Sequence, residues 1–184
     1  MVTTPYAVGT CSCGAVSLAV DVKPLMSYNC HCSNCRAYVS KYRENPVPCH
    51  AAGAFFKWNV SLKQDSEQHM EYEHTSALFG LFAMSRGRCK HCKQPIWESG
   101  ERLVVPFAMV SGTPLLKNIE PTTNLFYNSG PQQGPTEGLK TLYTDLGSLL
   151  YELYYIASRA IPLLPWSIYK RMTRDKQNRS LKTD

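Results

Sequence analysis

The sequence has no recognisable secretory signal at its start and no long apolar run. Its start, MVTTPYAVGTCSCG, has neither a basic stretch nor an apolar core, and the first arginine is Arg36. These features argue against a secretory signal and a mitochondrial presequence. No run of about 18 apolar residues occurs, so a conventional transmembrane helix is not expected. We therefore expect an intracellular protein in a reducing compartment, most simply the cytoplasm.

The sequence also lacks a strong charge over most of its length. The net charge is +6, and residues 170–184 carry +4 of it, from six cations and two acids. The nearly neutral remainder argues against a nucleic-acid-binding surface. With 184 residues, 43% of them hydrophobic and 18% charged, the chain is expected to fold around a core of its own.

Cysteine is what the sequence has in excess. The positions are Cys11, Cys13, Cys30, Cys32, Cys35, Cys49, Cys89 and Cys92. Close spacing gathers several sulfurs on one turn of backbone, which suits a tetrahedral zinc ion bound at about 2.3 Å from each sulfur. Iron–sulfur ligation is a chemical alternative. Disulfides would need an oxidising compartment that no signal indicates, and a redox role for CKHC lacks its βαβ context. His31, between two cysteines, is a possible ligand but is interpreted as a bystander. His50, His69 and His74 are interpreted as ordinary surface or strand residues, and His91 is expected to point outward.

Short β-like runs dominate the first 128 residues and predict a mainly β domain. They lie at residues 14–22, 26–30, 54–60, 69–74, 78–84, 95–98 and 102–110, with residues 41–53 interpreted as a loop. Residues 129–138, SGPQQGPTEG, are typical of a linker. Residues 139–160 then place leucines at helical spacing, and Pro162 and Pro165 end the predicted C-terminal helix. The expected division is thus a zinc-binding β domain at 1–128, a linker at 129–138, and a helix with a basic tail at 139–184.

Three motifs carry a family resemblance. GTCSCGAV, NCHCSNCR and RCKHCKQPIW follow one another in the order seen in the family of glutathione-dependent formaldehyde-activating enzymes and centromere protein V, and the resemblance spans roughly residues 8 to 128. It implies a β-tent-like fold of two small antiparallel sheets. The chain departs from the family pattern at Lys93, where glycine is usual, and at Arg88, where an aromatic residue is usual.

The same resemblance implies two zinc sites with different roles. A closed structural site takes Cys11, Cys13, Cys89 and Cys92, and an open site takes Cys30, Cys32 and Cys35. An open zinc can hold a thiolate, and the implied activity is that of a carbon–sulfur lyase that joins glutathione, or another small thiol, to formaldehyde or a related aldehyde. Cys49 would close the second site if it bound there, but we expect it to be a free, partly buried thiol.

Two further interpretations stay open at this stage. Arg36, Lys41 and Arg43 follow the second motif and are candidates to bind the glutathione carboxylates, although they also suit a solvated basic face. In the competing functional class, both zinc ions are structural and residues 139–184 dock to a partner or a membrane surface. An apolar helix, aromatic residues and a basic end in this order suit an anionic membrane. The alternative is that the helix packs its leucine face on the β domain.

Overall fold

The sequence folds mainly into short β-strands, as expected. The structure, a computed structural model, describes residues 4–77, 82–100, 107–111, 115–116, 119–130, 138–143 and 145–163. Within this part of the chain, eleven strands form two sheets, and two α-helices accompany them. The predicted mainly β class with a C-terminal helix is confirmed.

The smaller sheet is antiparallel and has three strands. They are β1 (Ala7–Thr10), β2 (Ser17–Val20) and β5 (Val60–Leu62), in the order β1-β2-β5. The alternation seen in the sequence holds here, because Val16, Leu18 and Val20 are all fully buried. The strand itself is shorter than the expected run of 14–22, since residues 11–14 form a turn that closes with a Gly14 N–H to Cys11 carbonyl bond of 2.9 Å.

The larger sheet has eight strands, in the order β11-β10-β3-β4-β9-β8-β7-β6. They are β3 (Met26–Cys30), β4 (His50–Phe56), β6 (Met70–Ala77), β7 (Phe82–Cys89), β8 (Pro95–Gly100), β9 (Phe107–Ser111), β10 (Thr123–Leu125) and β11 (Lys140–Thr141). Strand β10 pairs in parallel with both β3 and β11. This sheet is therefore larger than expected and is not wholly antiparallel.

Several element bounds differ from the expectation. The predicted loop at 41–53 ends early, because β4 begins at His50, and the predicted run 54–60 is interrupted by a turn of 3₁₀ helix at Lys57–Asn59. Residues 78–81, 101–106 and 131–137 lie outside the described residues, and with them parts of two predicted strands and most of the linker. Residues 140–141 were expected to begin the C-terminal helix, but they hydrogen-bond beside β10 instead.

The two helices have different functions in the fold. Helix α1 (Ser33–Ser40) begins directly after Cys32, whose sulfur caps it by accepting from the Cys35 N–H. Helix α2 (Asp145–Ala160) is anchored by the Ser148 hydroxyl, which accepts from the Phe126 N–H at 2.8 Å. No helix among the described residues combines the length and apolarity needed to cross a membrane.

Candidate metal centres

Four sulfurs meet where the two sheets approach each other. Cys11 follows β1 and Cys13 lies in the next turn, whereas Cys89 ends β7 and Cys92 lies in the turn before β8. All four Sγ atoms lie within 4.8 Å of one another. The Cys11–Cys13 and Cys13–Cys89 sulfur separations are 3.5 and 3.6 Å, close to the roughly 3.8 Å expected around a tetrahedral zinc ion.

The turn that carries Cys89 and Cys92 accommodates both departures from the family pattern. Lys93, where glycine is usual, adopts a left-handed conformation with a φ of 58°, and its Nζ pairs with Glu71 at 2.8 Å. The Arg88 guanidinium, where an aromatic residue is usual, lies over the rings of Tyr38 and Tyr42 at 4.4 and 4.7 Å. Arg88 thus makes cation–π contacts with both rings.

The thiols of Cys11, Cys89 and Cys92 do not ionise equally, because burial raises the pKa of Cys11 and raises that of Cys89 to about 12, whereas the pKa of Cys92 is lowered. Burial opposes ionisation of Cys92, yet hydrogen bonds from the Ser12 side chain and from nearby backbone N–H groups outweigh it and lower the pKa to about 6. The Cys11 sulfur accepts from the Val16 N–H at 3.2 Å. Such hydrogen bonds support thiolate ligands.

Three further sulfurs gather at the start of α1. Cys30 ends β3, Cys32 caps the helix and Cys35 lies in its first turn, and their Sγ atoms lie within 4.8 Å of one another. The pKa of Cys32 is lowered to about 3, because the Cys30 thiol and then the Cys35 thiol donate hydrogen bonds to it. A set of three thiols that readily yields a thiolate suits a soft metal ion.

The donor sets fit zinc. All eight cysteines are free thiols, and the measured sulfur separations far exceed the length of a disulfide bond, about 2.05 Å. Four sulfurs in the first cluster complete a tetrahedron, whereas three in the second leave a position for a further ligand. Within the described residues, no group of mutually close ligand atoms joins Cys49 to the second cluster. Cys49 instead lines a cavity, and burial raises the pKa of its thiol.

A buried ionic network lies directly behind the second cluster, and sequence reasoning missed it. The ligand atoms of Cys35, His50 and Glu98 lie within 4.8 Å of one another. The Glu98 carboxylate, only 2% exposed, accepts from Arg86 Nε at 2.9 Å, and its other oxygen lies 3.1 Å from His50 Nδ1. His50 is therefore a strand residue but not a surface one. The only sequence signal was an acidic residue inside the short run PIWESG.

Burial and the two basic side chains act in opposite directions on Glu98. Burial alone would raise the pKa of Glu98, but His50 and Arg86 outweigh it and lower the pKa below its ordinary value. The other His50 nitrogen, Nε2, lies 3.1 Å from the Ser111 hydroxyl. The imidazole is thus held from both sides beside Cys35.

The three basic residues expected near the substrate have different surroundings. Arg36 donates to the carbonyls of His31 and Ser129 at 3.0 and 2.9 Å, and Lys41 Nζ pairs with Glu73 at 2.6 Å. Arg43 lines a cavity of about 240 Å³, to which Cys49 and His50 also contribute. His31 is 1% exposed and packs edge-on against Tyr127 at 4.9 Å.

Fold and site together define a mainly β protein with two cysteine clusters, each able to hold a metal ion. The profile of one family, described as glutathione-dependent formaldehyde-activating enzyme, matches residues 6–129, about two thirds of the chain. The chain therefore belongs to that family. A solved structure of a Rhodobacter sphaeroides protein is similar at 18% identity and a TM-score of 0.43, over 62% of this chain and 91% of that one. No curated relative matches the chain.

Proposed function

We propose that the protein is a zinc-dependent enzyme of the carbon–sulfur lyase type, which joins glutathione to formaldehyde as S-hydroxymethylglutathione. Family membership supports the two small-molecule partners. The observation that carries the proposal is the set of three sulfurs, Cys30, Cys32 and Cys35, to which the described residues add no fourth cysteine. Three protein ligands and one exchangeable position are typical of catalytic rather than structural zinc.

The two clusters have different functions in this proposal. The sulfurs of Cys11, Cys13, Cys89 and Cys92 form a closed set that ties the end of β1 to the end of β7, so that metal binding there stabilises the fold. The second cluster is formed by β3 and the first turn of α1, and we assign it the chemistry. Zinc bound there would lower the pKa of a thiol that occupies its open position.

The reaction needs no oxidant or reductant. The glutathione sulfur attacks the carbonyl carbon, so that one carbon–sulfur bond forms as the C=O π bond breaks. The proton lost from the thiol ends on the former carbonyl oxygen. What the protein's residues contribute is the placement of the two reactants, which converts a bimolecular encounter into a local one.

The network behind Cys35 has a positioning role. Glu98 holds His50 on one side and Arg86 on the other, and Arg86 reaches the Asn34 carbonyl in α1 at 3.5 Å. These contacts connect β4, β7 and β8 to the first turn of α1. Groups that fix a metal ligand in this way also set its affinity and orientation.

The cavity beside His50 is the proposed position of glutathione. Arg43 lies on its wall and has no ion pair among the described residues, so its cation is suited to a carboxylate. Lys41 and Arg36 remain proposed contacts, although Glu73 and two backbone carbonyls now hold them. Since His50 lies both on the cavity wall and near Cys35, a ligand in the cavity comes close to the second cluster.

The test uses the full-length, zinc-loaded protein with glutathione and ¹³C-formaldehyde. Exchange NMR between free and adduct carbon gives the rate of adduct formation above the spontaneous rate. Acceleration is expected in the wild type. It should be lost in Cys32→Ser and be reduced in Arg43→Ala more than in the charge-retaining Arg43→Lys. Wild-type protein that binds two zinc ions yet gives only the spontaneous rate would refute the proposal.

One alternative function has its own support. Both metal ions would be structural, and the protein would act by docking through its C-terminal helix. The exposed leucines of α2 favour docking, although they do not argue against chemistry at the second cluster. Full zinc content without rate acceleration would favour this alternative.

A further inference from the structure

Helix α2 exposes its apolar side. Five large hydrophobic side chains in this part of the chain are between 56% and 72% exposed, and Ala157 beside them is also exposed. We call this set the apolar stripe: Leu146, Leu150, Leu153, Tyr154, Ala157 and Ile161. At about 100° per residue, its five members within α2 fall within an arc of about 100°, and Ile161 follows in a turn of 3₁₀ helix. They therefore form one continuous surface and are not scattered exposed residues.

The opposite side of α2 is already occupied by the β domain. Tyr151 and Tyr155 pack against the core around β3, β4 and β10. Ser148 is fully buried and bonds to Phe126, and Arg159 donates to the Leu25 carbonyl at 3.3 Å. The helix thus turns Ser148, Tyr151 and Tyr155 inwards and Leu146, Leu150 and Leu153 outwards. Folding the β domain does not use the apolar stripe, so this surface is available to a partner.

The stripe is too small for a stable dimer by itself. Sixteen residues span about 24 Å, and a stripe about 10 Å wide on such a helix offers roughly 240 Å² per chain. Two copies would bury about 500 Å² in total, whereas specific dimers bury about 1,200–2,000 Å². A membrane surface has no such threshold, because a single amphipathic helix can insert its apolar side into it.

The charge that follows the stripe favours an anionic surface. Residues 170–184 carry a net charge of +4 and begin nine residues after Ile161. Clustered cations beside an amphipathic helix attract acidic lipid headgroups, and this attraction adds to the burial of apolar side chains. Because the described helices are too short or too polar to span a bilayer, α2 would lie along the membrane surface.

We propose that α2 docks on an anionic lipid membrane through the apolar stripe, with the basic C-terminal end bound to acidic headgroups. The β domain then lies on the aqueous side, because α2 contacts it through the opposite face. The proposal is independent of catalysis at the second cluster, and it places the enzyme at a membrane without a spanning segment.

The test is co-sedimentation of the full-length, zinc-loaded protein with vesicles. Phosphatidylcholine vesicles containing 30% phosphatidylserine, on the order of a natural anionic surface, are compared with pure phosphatidylcholine. Binding is expected only to the anionic vesicles and should weaken as salt increases. Leu150→Gln with Leu153→Gln should reduce the affinity about a hundredfold, since each of the two leucines withdrawn from water contributes about tenfold.

Matched variants separate the stripe from general effects. Val8, 47% exposed in the smaller sheet, gives the control Val8→Gln, which should bind as the wild type does. Replacing Lys170, Arg171 and Arg174 with Gln should weaken binding to anionic vesicles. Zinc content and melting temperature establish that each variant is folded.

Three outcomes would overturn the proposal. The first is that the wild type binds neither kind of vesicle. The second is that the stripe variant, Leu150→Gln with Leu153→Gln, binds as well as the wild type, which would leave only the basic residues in contact with lipid. The third is a concentration-dependent dimer in sedimentation equilibrium that the stripe variant abolishes, because the occupant would then be a second copy of the chain.

Discussion

Glu98→Gln should destabilise the protein strongly, although it changes only one atom type and removes no volume. The carboxylate is 2% exposed and contacts Arg86 Nε at 2.9 Å and His50 Nδ1 at 3.1 Å. Arg86 is itself only 7% exposed. Loss of the negative charge leaves a buried guanidinium without its counter-charge, and this cost exceeds the loss of one hydrogen bond.

The expected loss is about 3–5 kcal/mol in the free energy of unfolding, the range for breaking one partner out of a buried ion pair. That is a large part of the total stability of about 5–15 kcal/mol for a typical domain. Glu71→Gln is the matched control, because Glu71 pairs with Lys93 at a similar distance of 2.8 Å but is 32% exposed. Exposed pairs contribute at most about 1 kcal/mol.

The difference between wild type and Glu98→Gln should depend on pH in a defined direction. His50 and Arg86 hold the pKa of Glu98 below its ordinary value. A group whose pKa is lowered on folding stabilises the folded state fully when the pH is above the pKa of that group in the unfolded chain. This contribution is lost as the pH falls through the pKa of the group in the folded protein. The contribution of the Glu98 charge to this difference should therefore be fully present above about pH 5 and should shrink below about pH 4.3, the ordinary value for Glu.

Urea denaturation gives the free energy of unfolding of both variants. The free zinc concentration is held fixed, because bound metal shifts the apparent stability. Zinc per chain is measured alongside, because the network lies next to Cys35. Adding Arg86→Met to Glu98→Gln should recover part of the loss, as the unpaired charge is then removed. If Glu98→Gln lowers the free energy of unfolding no more than Glu71→Gln does, the Glu98 charge does not stabilise the buried network as argued.

The remaining expectations concern the cysteines and the C-terminal helix. Cys13→Ser should release one zinc per chain and unfold or strongly destabilise the β domain, because β1 and β7 lose their tether. Metal analysis and thermal denaturation measure the two effects. If Cys49→Ser lost as much zinc and as much stability as Cys13→Ser, the assignment would be wrong. Cys49→Ser should leave the number of sulfur neighbours around zinc unchanged in X-ray absorption, and loss of one neighbour would argue against an open second site. Deleting residues 136–184 should lower the free energy of unfolding, because strand β11 and the contacts of Ser148, Tyr151 and Tyr155 with the β domain are lost. The double variant Leu150→Gln with Leu153→Gln should leave the melting temperature unchanged. If it lowered the melting temperature as much as the deletion does, the assignment of an inner and an outer face to α2 would be wrong.

Local patterns predicted the mainly β class and drew attention to the cysteines whose sulfurs gather in two clusters. Alternation identified the buried residues of β2, and the Cys-x-x-Cys spacings identified turns that concentrate sulfur. Spacing could not pair Cys11 and Cys13 with Cys89 and Cys92, because that contact joins residues about 80 positions apart. Only the family resemblance supplied that pairing.

Other features depended on contacts that no local window contains. Strand β11 has only two residues and forms because Lys140 and Thr141 reach β10, so helical spacing further along the chain assigned them to the wrong element. Glu98, His50 and Arg86 lie on three different strands and meet only in the folded sheet. A buried charge network gives no periodic signal, because each member looks like a single polar residue in a strand.

Helix α2 shows why amphipathic spacing alone leaves function open. The leucine period establishes that one side of the helix is apolar, and the usual inference is that this side covers the core. Here the hydroxyl of Ser148 and the rings of Tyr151 and Tyr155 make the contact with the β domain. The leucines of the apolar stripe are therefore left outside. A side chain that leaves water only upon docking stabilises a complex and not the fold. The orientation of one helix therefore connects a sequence pattern to a surface whose function can be tested separately from the cysteine chemistry.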